Sequence, residues 1–179
     1  MTIVDAAPVA QDDGFATDEL TAATDDLFAD NGNGADSDPN GPALAITAVN
    51  GSAAHVGTQV TLASGALLTV NADGTFSYDA NRAFDWVPHA ASGGSNAVAV
   101  ETFTYSLGGN TATVTIAIAG IDSDDIVQSS AGNDLLDGGV GTNTANYASA
   151  GAGVTVNLAL AGAQDTVGAA STRWSISPT

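Results

Sequence analysis

Apolar and polar residues alternate with period two along the middle of the chain, and that alternation predicts β-strands. In residues 111–118, Val114, Ile116 and Ile118 fall on one face and the threonines on the other. Residues 102–107 repeat the pattern, with Phe103, Tyr105 and Leu107 on the apolar face. Between the two runs lies Gly108-Gly109-Asn110, a short loop suited to the positive φ angles of a hairpin. A second hairpin is predicted where residues 66–70 and 75–78 flank Asn71-Ala72-Asp73-Gly74. Further strands are expected at 44–49, at 58–62 and around Phe15, whereas the Ala-rich stretch 21–24 is too short and polar to be a helix. Several short strands separated by turn residues, with no convincing helix, define an all-β chain and a β-sandwich of about seven strands. Phe76, Tyr78, Phe84, Trp86, Phe103 and Tyr105 are its expected core.

The pattern ends near Gly120. From Asp122 the chain reads as Gly, Asn and Asp in tight alternation up to Asn146, followed by one more candidate strand at 154–158. Residues 171–179 fit no pattern. The expected organisation is a sandwich over 1–122, a short repeat segment resembling a partial parallel β-roll over 123–168, and an unstructured tail over 169–179. One echo bears on context. Thr2-Ile3-Val4-Asp5 before Gln11-Asp12-Asp13 resembles Thr115-Ile116 before Asp122-Ser123-Asp124-Asp125, as a slice through a tandem array of domains would.

Charge changes this picture. The 179 residues carry 2 Lys+Arg against 20 Asp+Glu, a formal charge of −18. Such a chain has no basic patch for nucleic acid or for an anionic membrane. Two cationic side chains cannot pair so many carboxylates, and bound divalent cations are one remedy for the self-repulsion; a solvated acidic surface is the other. Cysteine is absent, which excludes disulfides and thiolate zinc sites. The N-terminus lacks the basic and apolar regions of a signal peptide, so export is expected to use a route independent of one. No apolar run approaches the roughly 20 residues of a membrane-spanning helix.

Three groups of residues suggest calcium. In Asp36-Ser37-Asp38-Pro39-Asn40-Gly41, preceded by Asp30, oxygen-bearing side chains two residues apart run into a turn glycine, the opening of a calcium loop. An EF-hand is excluded, because Thr47 stands where its bidentate Glu belongs. A metal-free Asx-rich turn is the alternative. Asp12, Asp13 and Glu19 near the start, with Asp122, Asp124 and Asp125 after the sandwich, form carboxylate clusters where calcium would stiffen junctions between domains. Residues 129–147 come close to two copies of the nonapeptide G-G-x-G-x-D-x-U-x of calcium-binding β-rolls. Asp134, Gly138 and Gly139 match it, Ser129-Ser130 replaces the first glycine pair, and Asn143 replaces an aspartate. Ca2+ is therefore the expected cofactor.

Catalytic motifs are missing: there is no G-x-S-x-G elbow, no H-E-x-x-H and no Walker loop. His55 and His89 carry no metal-ligand spacing. The expectation is a chain without enzymatic activity.

Residues 7–13 (A-P-V-A-Q-D-D) and 70–79 (V-N-A-D-G-T-F-S-Y-D) resemble the bacterial cadherin-like, or VCBS-type, Ig-like repeats, as do the strands around 101–105 and 113–116. The resemblance runs from about Ala7 to Asp122. Residues 129 to about 168 resemble the start of an RTX (haemolysin-type) calcium-binding region. Together they imply an Ig-like, cadherin-like sandwich within a large secreted or surface adhesin exported by a type I system. The implied partners are neighbouring domains of a tandem array and a host or cell-surface ligand. An accessory region of a secreted RTX protease or lipase is the alternative, and carbohydrate binding through Trp86 and Tyr78 another. Residues 171–179 do not resemble the family continuation, which suggests a truncation or frame-shift.

Overall fold

The computed structural model describes residues 6–39, 41, 43–89, 98–129, 134–137, 141–156 and 172–175. Eight strands build two four-stranded sheets. They are β1 (Asp13–Asp18), β2 (Ala23–Asp26), β3 (Ile46–Val49), β4 (Val60–Thr61), β5 (Leu67–Val70), β6 (Thr75–Asp79), β7 (Val98–Leu107) and β8 (Asn110–Ala119). One sheet runs β1-β8-β7-β3 and the other β2-β6-β5-β4. A single 3₁₀ turn at Ala53–His55 is the one helical element among the described residues. The fold is all-β, as the alternation predicts.

Alternation along β6 and β8 buries every second residue. Phe76 of β6 packs against Phe103 of β7, ring centroids 6.1 Å apart, and against Phe15 of β1 at 4.8 Å. Aromatic contact between strands of different sheets is what makes the pair a sandwich. Phe76 and Phe103 are buried, and full burial of such a side chain contributes about 1.5–3 kcal/mol relative to exposure.

The turns follow their residues. Gly108 and Gly109 have φ of 52° and 103°, which gives β7 and β8 a two-residue hairpin. The loop from Asn71 to Gly74 closes with Asn71 N–H donating to Thr75 O at 2.9 Å. β2 is the strand that alternation does not announce. Its sequence Ala-Thr-Asp-Asp has no large apolar side chain, yet it pairs residue for residue with β6, from Ala23 opposite Tyr78 to Asp26 opposite Thr75. The next residue, Leu27, is completely buried and anchors it. Of the expected core aromatics, Phe76, Tyr78, Phe84, Phe103 and Tyr105 are buried. Trp86 is only half-buried and rests against Phe84, centroids 6.3 Å apart.

The contacts divide the chain into two compact units, Met1–Arg82 with Val100–Ile118, and Ala83–Ala99 with Ala119–Thr179. Among its described residues the second has four short strands after the sandwich: β9 (Ile126–Gln128), β10 (Asp134–Asp137), β11 (Thr144–Asn146) and β12 (Thr172–Ser175). They pair in parallel, β9 with β11 and β10 with β12. Thr172–Ser175 falls within the stretch that its composition marks as an unstructured tail; backbone pairing with β10, not side-chain pattern, makes it a strand. Val154–Val156 is irregular rather than a strand, and the remainder of that expected strand lies outside the described residues.

Candidate cation-binding site

The junction carboxylates at the start of the sandwich do not behave alike. Asp12 is exposed, and its Oδ1 accepts the Thr113 N–H at 2.7 Å. Asp13, one residue on, points the other way as alternation along β1 requires, and is 3% exposed. Its Oδ1 accepts Asn31 Nδ2–H at 3.1 Å, while Oδ2 is buried without a hydrogen-bond partner. Burial raises the Asp13 carboxyl to about 6, helped by the nearby charges of Asp36 and Asp12 and opposed by Asn31 and Tyr105. Glu19, just past β1, is also buried.

Asp36 comes to the same place from the following loop. It is buried, its Oδ1 accepts the Gln11 N–H at 2.7 Å, and its Oδ2 accepts the Tyr105 hydroxyl at 2.7 Å. That hydroxyl also lies 3.1 Å from Gln11 O and 3.5 Å from Leu27 O. Asp13, Asp36 and two main-chain carbonyls thus surround a single phenol, and one proton cannot satisfy all those oxygens.

The rest of the expected loop turns outward. Asp30 Oδ1 accepts the amides of Gly32 at 3.2 Å and Gly34 at 3.0 Å, an Asx-type turn. Asp38 Oδ1 accepts Gly41 N–H at 2.7 Å. Asp36 and Asp38 therefore serve different partners, the first buried and the second half-buried. Asn40 lies outside the described residues, as do Gly138 and Gly139. Among the described residues, no group of three or more Asp, Glu or His side chains is gathered so as to hold a metal ion. Any cation at Asp13 and Asp36 would draw the rest of its shell from carbonyls and water.

After the sandwich, Asp122 is exposed, 3.3 Å from His89 Nδ1. Asp124 Oδ1 accepts Thr142 N–H at 2.7 Å, and Asn143 Oδ1 accepts Asp125 N–H at 2.9 Å. Asp134 is the first residue of β10. Asp125, expected as a junction carboxylate, is instead buried between these turns. Its signal is spacing: Asp125, Asp134 and Asn143 stand at successive nine-residue intervals. Tyr105 is likewise legible beforehand only as core. Tyr78 is completely buried, so its ring offers no stacking surface for a sugar. His55 is held by its own turn, Nδ1 lying 3.0 Å from Val49 O.

Two facing four-stranded sheets, with acidic side chains where the chain enters the first strand, define a β-sandwich domain of the Ig-like class. The profile of the bacterial cadherin-like domain matches residues 5–120, and the chain belongs to that family. No curated protein matches the chain. No helix among the described residues is long and apolar enough to cross a membrane.

Proposed function

We propose that the chain is a calcium-binding, non-catalytic structural module of a large secreted or surface-displayed bacterial adhesin-like protein. The observation that carries the calcium reading is the buried Asp13 Oδ2, which has no hydrogen-bond partner and lies near enough to Asp36 for the two charges to act on each other. An uncompensated buried carboxylate is costly, and it is relieved either by taking up a proton or by meeting a cation. Calcium suits the oxygens present: carboxylates of Asp13 and Asp36 and the carbonyls of Gln11 and Leu27, all hard donors. Asp12 flanks them at the entry to the sandwich, where a bound ion would restrain the chain leading to a preceding domain. Glu19 lies past the other end of β1 and outside this group. The partners on this reading are neighbouring domains of a tandem array and a cell-surface ligand.

We extend the proposal to the second unit, as the start of an RTX-type calcium-binding coil. β9 and β11 pair in parallel with a shift of 18 residues, two nonapeptides, as Ile126 opposite Thr144 shows. Val127 and Leu136, nine residues apart, are both buried. Export by a type I route belongs to the same reading.

The test is thermal unfolding in EDTA and across a calcium titration, for the unaltered chain and for Asp13→Asn. Binding to the native state alone must stabilise it by about 2.7 kcal/mol at a hundredfold excess over Kd. The variant is expected to lose the calcium increment. Identical melting curves in EDTA and millimolar calcium would refute the proposal.

A further inference from the structure

The acidic run Asp122–Asp125 looks in sequence like a linker between domains. In the structure it is the first turn of the parallel coil. Ser123, Asp124 and Asp125 stack on Gly141, Thr142 and Asn143 with the 18-residue shift that pairs β9 with β11. Thr142 N–H donates to Asp124 Oδ1 at 2.7 Å, Asp125 N–H to Asn143 Oδ1 at 2.9 Å, and Thr144 N–H to Asp125 O at 2.8 Å. At the far end of β9, Ser129 N–H donates to Asn146 O at 3.0 Å. The stack is close enough that a Cβ on Gly141, whose φ is 111°, would lie 2.2 Å from Ser123 O.

The other side of this turn is occupied too. Ile126 N–H donates to Asp85 O at 2.7 Å, and His89 forms a parallel bridge with Gly120. Gly120 lies so close to the 85–89 segment that a Cβ would be 2.1 Å from Val87 O. The strand β9 is thus flanked by the 85–89 segment and by β11.

We propose that residues 84–89 and the turn 122–125 form a built-in cap that seeds the parallel coil, closing its first 18-residue turn by amide hydrogen bonds rather than by a bound cation. Stacked coils need a cap, because a first turn has no preceding turn to satisfy its backbone. Here Asp85 O supplies an acceptor for β9. A second aspartate stacked on Asp125 would add like charge; Asn143 is neutral, and its amide oxygen is an acceptor for the Asp125 N–H. The departure of Asn143 from the nonapeptide is on this view the device that makes the first turn independent of metal. The inference does not rest on calcium binding at Asp13 and Asp36, and it survives the failure of that reading.

The test is amide hydrogen exchange on the whole chain in EDTA and in millimolar calcium. In EDTA the amides of Asp125, Ile126, Ser129, Thr142 and Thr144 are expected to be protected, with little change on adding calcium. Asn143→Ala and Gly141→Ala are expected to lower that protection by about tenfold or more, the equivalent of one lost hydrogen bond. Amides in β5 and β6 should be unaffected, which separates loss of the coil from global unfolding. Asn143→Asp keeps an acceptor oxygen but adds the charge, so protection should fall in EDTA and recover with calcium. Protection that appears only with calcium in the unaltered chain would overturn the proposal, as would full protection in both Asn143→Ala and Gly141→Ala.

Discussion

The Tyr105 hydroxyl donates to the Asp36 carboxylate at 2.7 Å, joining residues 69 positions apart. Through it β7 is tied to the loop after β2, and Asp36 Oδ1 carries the link on to Gln11 N–H ahead of β1. Burial, then the hydrogen bond to Asp36, push the Tyr105 hydroxyl far above the ordinary tyrosine range, so it stays a donor at any physiological pH.

Tyr105→Phe should therefore cost more than a generic lost hydrogen bond. It leaves Asp36 buried with one oxygen stripped of its donor, and hydrogen bonds to charged groups are worth about 1.5–3 kcal/mol. Urea denaturation at pH 7 is expected to show a loss in that range with an unchanged m-value. A change below about 0.5 kcal/mol would mean that water replaces the phenol.

Asp13 sets the pH dependence in metal-free solution. Its folded-state pKa of about 6 lies above the ordinary carboxyl value of 3.8. The native state consequently holds a proton that the unfolded chain has released between those values. The stabilising contribution is fully present below pH 4 and is lost as pH rises through 6. In EDTA this group should remove on the order of 2 kcal/mol between pH 4 and 7. Asp13→Asn is expected to flatten that part of the profile and to be the more stable protein at pH 7. An unchanged slope would place the titrating group elsewhere.

Two glycines in the positive-φ region should respond differently to alanine. Gly74 has φ of 90°, and an added Cβ would lie 2.7 Å from both the Phe28 ring and Asp26 Oδ1. Gly57 has φ of 70° with open space around it. Gly57→Ala should cost about 1 kcal/mol from backbone strain alone. Gly74→Ala should cost visibly more, because the β5–β6 turn and the Phe28 side chain must both shift. Equal melting temperatures for the two variants would contradict this.

The sandwich was readable from sequence because a half-buried strand writes its burial into every second residue. Phe103, Tyr105 and Leu107 announce β7 in that way, and Gly108-Gly109 its turn. β2 could not be read, since what holds Ala23–Asp26 is pairing with β6, and backbone hydrogen bonds are indifferent to side chains. The same holds for β12. At the candidate site the residue types were legible but their directions were not. Asp12 and Asp13 are neighbours in sequence, yet one faces solvent and the other the interior. Asp36 and Asp38 share the spacing of a calcium loop, but the first turns inward to Tyr105 while the second turns to the Gly41 amide. Asp125 was legible as a junction carboxylate but not as part of the coil, because the nine-residue spacing that places it there runs backwards across the expected domain boundary at 122.

The cap proposed for the coil makes Gly120 a sharp test position. It has no positive φ to explain a glycine there, so the requirement is one of space alone. A Cβ would sit 2.1 Å from Val87 O and 2.6 Å from Pro88 O, and both are main-chain atoms that cannot rotate away. Gly120→Ala must therefore break the His89–Gly120 bridge and move residues 87–88 off the strand end. The amides of Ile126 and Thr144 should lose hydrogen-exchange protection as the cap opens, while those of β5 and β6 keep theirs. Gly151→Ala, with nothing within 4 Å of the new methyl, is the matched control and should leave both sets unchanged. If Gly120→Ala behaves like the control, the 85–89 segment is not what holds the first turn in place.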